Sequence, residues 1–307
     1  MRLPAQRWHI VAILIAVCAL GAAGIYFVRE RGANGSANLV SFLPTADATV
    51  VYIDVAVIRR AGILNMIAGS KAAEELEYGE FVDQTKFDYR QDLDGVAAAF
   101  KDGQVFLALR GRFHWKNLTD YVIRQGGSCH NNYCVTTGSQ PNRRISFYPV
   151  KSDLMGVAVS PDDFAAYQIT RQSGKLTLIP PSEPVWALVP AAALKDPGLL
   201  PAGAKAYVSA LQNAEQALFT IGSDKDQLKL GVDVTCRDAA SATALVQELE
   251  KTTTTLRNWI AREHQQANPG DLSGVLVGGT FRRRDRQVEG HWPIPQAFLK
   301  AVSSGTL

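Results

Sequence analysis

The chain has 307 residues, of which 20% are charged and 47% hydrophobic, and its formal net charge is +3 at neutral pH. This composition supplies enough apolar residues for a core and excludes an intrinsically disordered chain. The small net charge gives no whole-molecule argument for nucleic acid or for a strongly acidic partner. We therefore expect a folded protein with no nucleic-acid partner.

The first element along the chain is an apolar segment, Ile10–Val28, which contains no charged residue. At about 1.5 Å per residue, a helix of this length crosses a hydrocarbon core of about 30 Å. Aromatic residues stand at its two ends, where rings prefer the lipid headgroup level: Trp8, Tyr26 and Phe27. The sequence predicts a single-pass transmembrane anchor over 10–28, with the lipid bilayer as its partner.

The position of this segment predicts the orientation of the chain. A short N-terminus, 1–9, precedes it and most of the chain follows it, which is the layout of a signal-anchor. We predict an inner-membrane protein with a cytoplasmic N-terminus and a periplasmic ectodomain. Two alternatives stay open: cleavage as a signal peptide at a small-residue site such as Ala19–Gly21, and lipoprotein processing at Cys18, which Val17 in front of it disfavours.

The ectodomain repeats a pattern of strand, polar turn, strand and helix, and the pattern occurs four times. Each first strand carries a phenylalanine near its end: Phe100, Phe147, Phe219 and Phe281. Each pair of units follows a further strand and helix, which gives β-α-ββα-ββα twice. The sequence thus predicts a duplicated α+β ectodomain whose antiparallel sheets are covered by helices. The alternative is that any α+β chain with hairpins aligns loosely with itself.

Composition and turn signals set the predicted boundaries. A linker over 29–41, rich in Gly, Asn and Ser, leads to a first α+β lobe over 42–172. An inter-lobe linker over 173–183, with Pro180 and Pro181, precedes a second α+β lobe over 184–307. We expect helices from Ala56 to about Thr85, after the cap at Ser160, and from Asp238 to about His264.

Three stretches of the first lobe carry a resemblance: FLPTADATVVYIDVAVIRRAGIL, SKAAEELEYGEFV and DLDGVAAAF. In these stretches the chain resembles uncharacterised single-pass bacterial envelope proteins, over residues 42–160. That group has no assigned activity, so the resemblance implies the membrane-anchored layout and no catalytic residue.

Two cysteines lie close together in the sequence, as Cys129-His-Asn-Asn-Tyr-Cys134. In an oxidising periplasm this spacing predicts a disulfide that closes a short loop. A metal or redox site that includes His130 is the alternative, but no second Cys or His cluster completes four ligands. Cys236 stands alone at the end of a strand, and we expect it to be a buried small side chain.

The remaining chemistry in the sequence is sparse. None of the familiar hydrolase, phosphate-binding, dinucleotide or metalloprotease motifs occurs, and no two histidines share metal spacing. We therefore predict no cofactor, no metal and no catalytic residue. The densest charged cluster is a candidate contact for an acidic partner or for anionic lipid, or else a solvated turn that protects a strand edge: Arg282, Arg283, Arg284 and Arg286.

These features favour a non-enzymatic, membrane-anchored interaction or assembly module with an envelope protein as its partner. An anchored envelope enzyme of hydrolase type, with a site between the two lobes, is one alternative. A ligand-binding protein with a pocket between the lobes is another. The sequence selects no ligand and no oligomeric state.

Overall fold

The computed structural model describes residues 35–64, 76–138, 143–170, 179–194, 210–211, 213–224, 227–262 and 266–304. Within these ranges no helix is long and apolar enough to cross a membrane. The predicted anchor over 10–28 lies outside the described residues, so it stays a prediction.

One antiparallel sheet of twelve strands organises the chain, in the order β11-β12-β10-β9-β8-β1-β2-β3-β7-β6-β5-β4. The strands are β1 (Thr49–Ile53), β2 (Leu93–Lys101), β3 (Gln104–Gly111), β4 (Ser128–His130), β5 (Tyr133–Thr137), β6 (Arg144–Lys151), β7 (Leu154–Ser160), β8 (Val185–Pro190), β9 (Gln216–Asp224), β10 (Gln227–Thr235), β11 (Thr280–Arg284) and β12 (Gln287–Ile294).

Eight α-helices with defined bounds and a 3₁₀ turn accompany the sheet in the described ranges, besides the helical residues 35–40. They are α1 (Val55–Arg60), α2 (Leu76–Thr85), α3 (Tyr89–Asp92), α4 (Trp115–Arg124), the 3₁₀ turn (Ala165–Gln168), α5 (Ala191–Leu194), α6 (Ala239–Arg262), α7 (Leu272–Leu276) and α8 (Gln296–Ser304). The predicted α+β class with antiparallel strands and helices is confirmed.

The two predicted lobes share this one sheet, because β1 of the first pairs with β8 of the second. From β1 outward the strand order is β1-β2-β3-β7-β6, and from β8 outward it is β8-β9-β10-β12-β11. Each half therefore has a central strand, then a hairpin, and then a second hairpin joined to it through its later strand. The hairpin β4–β5 extends only the first half.

Side chains alternate between the two faces of the sheet. On the back face, α4 covers the first half and α6 covers the second, with Leu118 and Leu245 among the buried contacts. On the front face, residues 39–43 and the 3₁₀ turn cover the first half around Tyr52. The segment packs directly on β2, where a Cβ on Gly95 would lie in van der Waals contact with Leu39 Cδ2, at 3.6 Å.

One transverse row on the back face takes a residue from every strand. In register it runs Cys129, Cys134, Phe147, Val157, Leu107, Ala98, Val51, Ala187, Phe219, Val232, Gly290 and Phe281. Three of the four phenylalanines at the ends of the predicted repeat strands, Phe147, Phe219 and Phe281, thus lie in a single row. Phe100 lies on the same face but is 45% exposed, and the cluster beneath α4 contains no residue of its strand, β2.

Several predicted boundaries are wrong. The predicted linker over 29–41 is too long, because residues 35–40 are helical and Leu39 and Val40 are buried against the front face. The predicted helix after Ser160 is a 3₁₀ turn of 4 residues. The start of the fourth repeat is helical over Leu272–Leu276, and β11 begins only at Thr280.

The predicted helix from Ala56 to about Thr85 is also interrupted, since α1 ends at Arg60 and Gly62 has a φ of +73°. Left-handed backbone of this kind favours glycine and ends a helix. The predicted inter-lobe linker lies mostly outside the described residues, which resume at 179.

The sheet has two ends in the strand direction. We call one the Arg110 end; there β1 and β3 finish, β7 begins and β12 finishes. We call the other the Arg286 end, which contains the β2–β3 turn and the turn between β11 and β12. At about 3.3 Å per residue, the 8 residues of β12 separate the two ends by roughly 26 Å.

Candidate functional site

The front face of β10, β12 and β11 is the candidate site, because exposed charged side chains project from it. Register places Asp233 opposite Glu289, and Glu289 opposite Arg282 on the next strand. Asp233, Arg282, Arg284 and His291 are all exposed. We call this surface the charged face.

The four predicted arginines do not form one cluster. Arg282 and Arg284 lie on the charged face, and Arg284 Nε is 3.3 Å from Glu289 Oε1. Arg283 points to the back face, where its Nη1 donates to the Ala239 carbonyl at 3.5 Å. Arg286 lies in the turn, with its Nη1 3.2 Å from Glu215 Oε2. Arg282, Arg283 and Arg284 belong to β11, which is an edge strand of the sheet. Their charges therefore also discourage this edge from pairing with a strand of another molecule.

Asp233 is the electrostatically unusual group of the charged face. Desolvation against the sheet raises the pKa of its carboxyl group, and the neighbouring Glu289 and Glu183 carboxylates raise that pKa further. His291 and Arg284 act in the opposite direction. Like charges directly opposite each other on paired strands destabilise a sheet. A cationic group of a partner, bound near Asp233, would therefore offset the repulsion between the Asp233 and Glu289 carboxylates.

The sequence analysis did not identify Asp233 and Glu289 as site residues. The signal was available, because the strands VDV and VEG each place one carboxylate between apolar or small residues. Alternation predicts that such a carboxylate faces solvent, but only the register of β10 with β12 shows that the two are opposite.

A pocket of about 1020 Å³ lies between the two halves at the Arg110 end. Ala61 and Ile63 contribute from the first half, and the apolar side chains of the second half complete most of the wall: Leu228, Pro293, Ile294, Pro295 and Leu299. Ser223, Gln227, Gln296 and Lys300 supply its polar groups. Apolar walls with a few polar groups are typical of small-molecule sites.

The predicted disulfide between Cys129 and Cys134 is confirmed. The two residues are directly opposite on β4 and β5, with a Cα–Cα distance of 4.1 Å. Cys134 is buried and packs with Phe147, Leu118 and Val122. The bridge therefore joins the edge strand β4 to the core beneath α4.

Cys236 is buried, as predicted, and lines a second pocket of about 640 Å³ near the start of α6. Burial raises the pKa of this thiol, and the nearby Asp238 raises it further. A thiol with a raised pKa stays protonated at neutral pH and is a poor nucleophile.

No group of three or more His, Cys, Asp or Glu side chains that could hold a metal ion occurs in the described ranges. The sequence also contains an acidic run, Glu74-Glu75-Leu76-Glu77. Part of this run lies outside the described residues, and the described Glu77 is exposed at the start of α2. His114 is the residue before α4, and His291 lies on the charged face.

No family model and no curated protein sequence matches the chain. Among solved structures, the chain is similar to crystal form I of TP0453, with 10% identity and a TM-score of 0.49 over 87% of this chain and 97% of that chain. Crystal form III of the same protein has 8% identity and a TM-score of 0.44, over 86% and 97% of the two chains. At these values the likeness carries no argument about function.

Proposed function

We propose that this protein is a membrane-anchored, non-enzymatic module of the cell envelope that binds a protein partner through its charged face. The anchor is the predicted segment over 10–28, and the ectodomain is periplasmic. The observation that carries the proposal is the unequal covering of two halves with the same strand order.

In the first half, the front face is covered within the described ranges by residues 39–43 and the 3₁₀ turn, and α4 covers the outer strands on the back. In the second half, α6 covers the back, whereas the front residues Asp233, His291 and Arg282 stay exposed. Trp186, Leu188 and Leu218 are buried on the front of β8 and β9, so the open surface in the described ranges is the front of β10, β12 and β11. This surface is free for a partner.

The shared strand order also supports duplication of one β-α-ββα-ββα unit. In this proposal one copy kept a covered front face, while the other copy left the front of its outer strands open.

The pattern of charge indicates the kind of partner. Asp233 and Glu289 form an acidic pair, and Arg282 and Arg284 lie beside them toward the sheet edge. A partner surface that places basic groups opposite Asp233 and Glu289, and acidic groups opposite Arg282 and Arg284, would form ion pairs with both sets. Such pairing depends on salt and contributes to specificity and association rate more than to affinity.

The experiment is a native capture of the full chain from detergent-solubilised membranes, with cross-linking and mass spectrometry. It compares wild type with Arg282→Glu/Arg284→Glu. The matched control is Lys251→Glu/Arg262→Glu, which makes the same charge change on exposed positions of α6. We expect a stoichiometric partner that is cross-linked to β10, β12 or β11, and a loss of about tenfold in capture only for the first variant. Equal capture by all three proteins would contradict the proposal.

A second candidate function is binding of an apolar small molecule in the pocket between the halves, which is supported by its volume and its mostly apolar wall. The test uses an environment-sensitive apolar dye, anilinonaphthalene sulfonate, with wild type and Leu299→Trp, which fills the pocket. A control substitution, Ala244→Trp in the second pocket, leaves this pocket unchanged. Dye binding that Leu299→Trp does not weaken would exclude this function.

A further inference from the structure

The chain enters the folded domain at a fixed place. The Arg110 Nη2 atom donates to the Gly35 carbonyl at 2.8 Å, and Ser36 is 1% exposed. Leu39, Val40, Phe42 and Leu43 follow and are buried in the core. The chain between the predicted anchor and this docked segment is therefore only residues 29–34.

This short connection limits how far the domain can lie from the bilayer. From Val28 to Gly35 a fully extended chain reaches about 25 Å. Gly35 lies at the Arg110 end, and the turn that holds Arg286 lies roughly 26 Å farther along the strands. With the anchor of the proposed function, on which this inference rests, the Arg110 end faces the membrane and the arginine turn points away from it.

The surface at the Arg110 end has the side chains that suit a headgroup layer. Arg112, Lys116 and Lys151 are exposed around the turn between β6 and β7. Trp115 is tied to the same turn, since its Nε1 donates to the Ser152 carbonyl at 3.1 Å. Basic residues attract anionic lipid, and tryptophan prefers the membrane interface.

Acidic groups at this end are partly neutralised by these cations. Arg112 Nη2 is 2.9 Å from Asp92 Oδ1, and Lys116 Nζ is 2.7 Å from Asp120 Oδ2. The Lys151 ammonium group lies 5.5 Å from the centre of the Phe42 ring. Asp153 is also exposed here, so carboxylates and cations are equal in number at this surface. The cations are the outer groups, because the Arg112 and Lys116 side chains are 65% and 87% exposed and those of Asp92 and Asp120 only 20% and 41%.

We propose that the surface formed by Arg112, Trp115, Lys116 and Lys151 lies against the anionic headgroups of the membrane that holds the anchor. The domain then has one orientation on the bilayer. The strands then run away from the membrane, from the Arg110 end to the Arg286 end, and the charged face remains accessible from the periplasm. The arginines of β11 are assigned to the partner and not to lipid, because their turn is at the far end of the sheet.

The test measures lysine acetylation rates by mass spectrometry on the full chain in nanodiscs. One set of nanodiscs contains phosphatidylcholine with phosphatidylglycerol, and the other contains phosphatidylcholine alone. We expect Lys116 and Lys151 to react about threefold more slowly in the anionic nanodiscs. Lys101 at the Arg286 end and Lys251 on α6 are internal controls, and their rates should not change. The protection should disappear at high salt.

Equal rates for Lys116 and Lys151 in both nanodiscs would overturn this inference and would leave the partner-capture result unaffected. Protection of Lys101 to the same extent would also overturn it, since no orientation would then be preferred. A chain that does not enter nanodiscs at all would remove the anchor, and with it both this inference and the membrane part of the proposed function.

Discussion

Tyr52 and Trp186 are directly opposite each other on β1 and β8, and their rings stack with a centroid distance of 5.8 Å. They are 3% and 1% exposed. The pair lies where the two halves of the sheet meet, against the segment that covers the front face. Burial raises the pKa of Tyr52 to about 12, so its phenol stays neutral.

We expect Trp186→Ala to lower the free energy of unfolding by about 3–5 kcal/mol, because it opens a cavity at the junction of the halves. The control Trp259→Ala removes a ring that is 61% exposed and should cost less than about 1 kcal/mol. Trp186 Nε1 has no hydrogen-bond partner among the described residues, so Trp186→Phe should retain most of the stability. Urea unfolding of the detergent-solubilised chain measures all three variants, and equal losses for Trp186→Ala and Trp259→Ala would refute the assignment.

Reduction of the Cys129–Cys134 bridge should destabilise the protein by roughly 2 kcal/mol, from the loop-closure entropy of so short a loop. The hairpin β4–β5 at the sheet edge should open first, because β4 has only 3 residues and pairs with no other strand. Melting temperatures with and without reductant measure the effect. A Cys129→Ala/Cys134→Ala variant should no longer respond to reductant, and a response in that variant would implicate Cys236 instead.

Asp88 should make the protein sensitive to acid. Burial raises the pKa of its carboxyl group, but hydrogen bonds from Arg90 and Tyr78 outweigh burial and leave the pKa below its usual value. A lowered folded-state pKa contributes stability that is present above the unfolded value, near pH 4, and is lost as the pH falls through the folded pKa.

Asp88→Asn should therefore cost about 1–3 kcal/mol at neutral pH. It should also flatten the loss of stability below about pH 4. Urea midpoints across acidic pH test this, with Asp83→Asn at an exposed position of α2 as control. An acid limb that is unchanged in Asp88→Asn would show that other carboxylates dominate.

The Asp233 carboxyl group should change the pH dependence of stability in the opposite sense to Asp88, since the pKa of Asp233 is raised. The folded state then binds this proton more tightly than the unfolded state, so stability falls as the pH rises from the unfolded pKa to the folded one. Asp233→Asn should raise stability at neutral pH by less than about 1 kcal/mol, because the residue is exposed. The gain should vanish below about pH 4, and hydrogen exchange of β10 and β12 amides across this pH range measures it.

Two glycines should respond in opposite directions to alanine. Gly79 is inside α2 and a Cβ there would meet nothing within 4 Å, so Gly79→Ala should stabilise by about 0.5–1 kcal/mol. A Cβ on Gly127 would lie 2.7 Å from the Val135 carbonyl oxygen, so Gly127→Ala should destabilise by about 1–3 kcal/mol. Thermal unfolding compares them, and equal effects would contradict the packing around Gly127.

The sequence by itself determined the local elements of this protein. Alternating apolar residues with polar turns predicted the hairpins β2–β3, β6–β7 and β9–β10, and the spacing of Cys129 and Cys134 predicted the disulfide. These features depend on neighbours in the chain, so their signal is present in a short window.

Only the tertiary structure decided how the local elements combine. The pairing of Tyr52 with Trp186 joins strands that are far apart in the sequence, and the docking of residues 39–43 uses a surface made by several strands. The opposition of Asp233 and Glu289 likewise depends on the register between β10 and β12. Such contacts follow from the shape and packing of complete surfaces, which no local pattern encodes. They also determine which face of the sheet stays open.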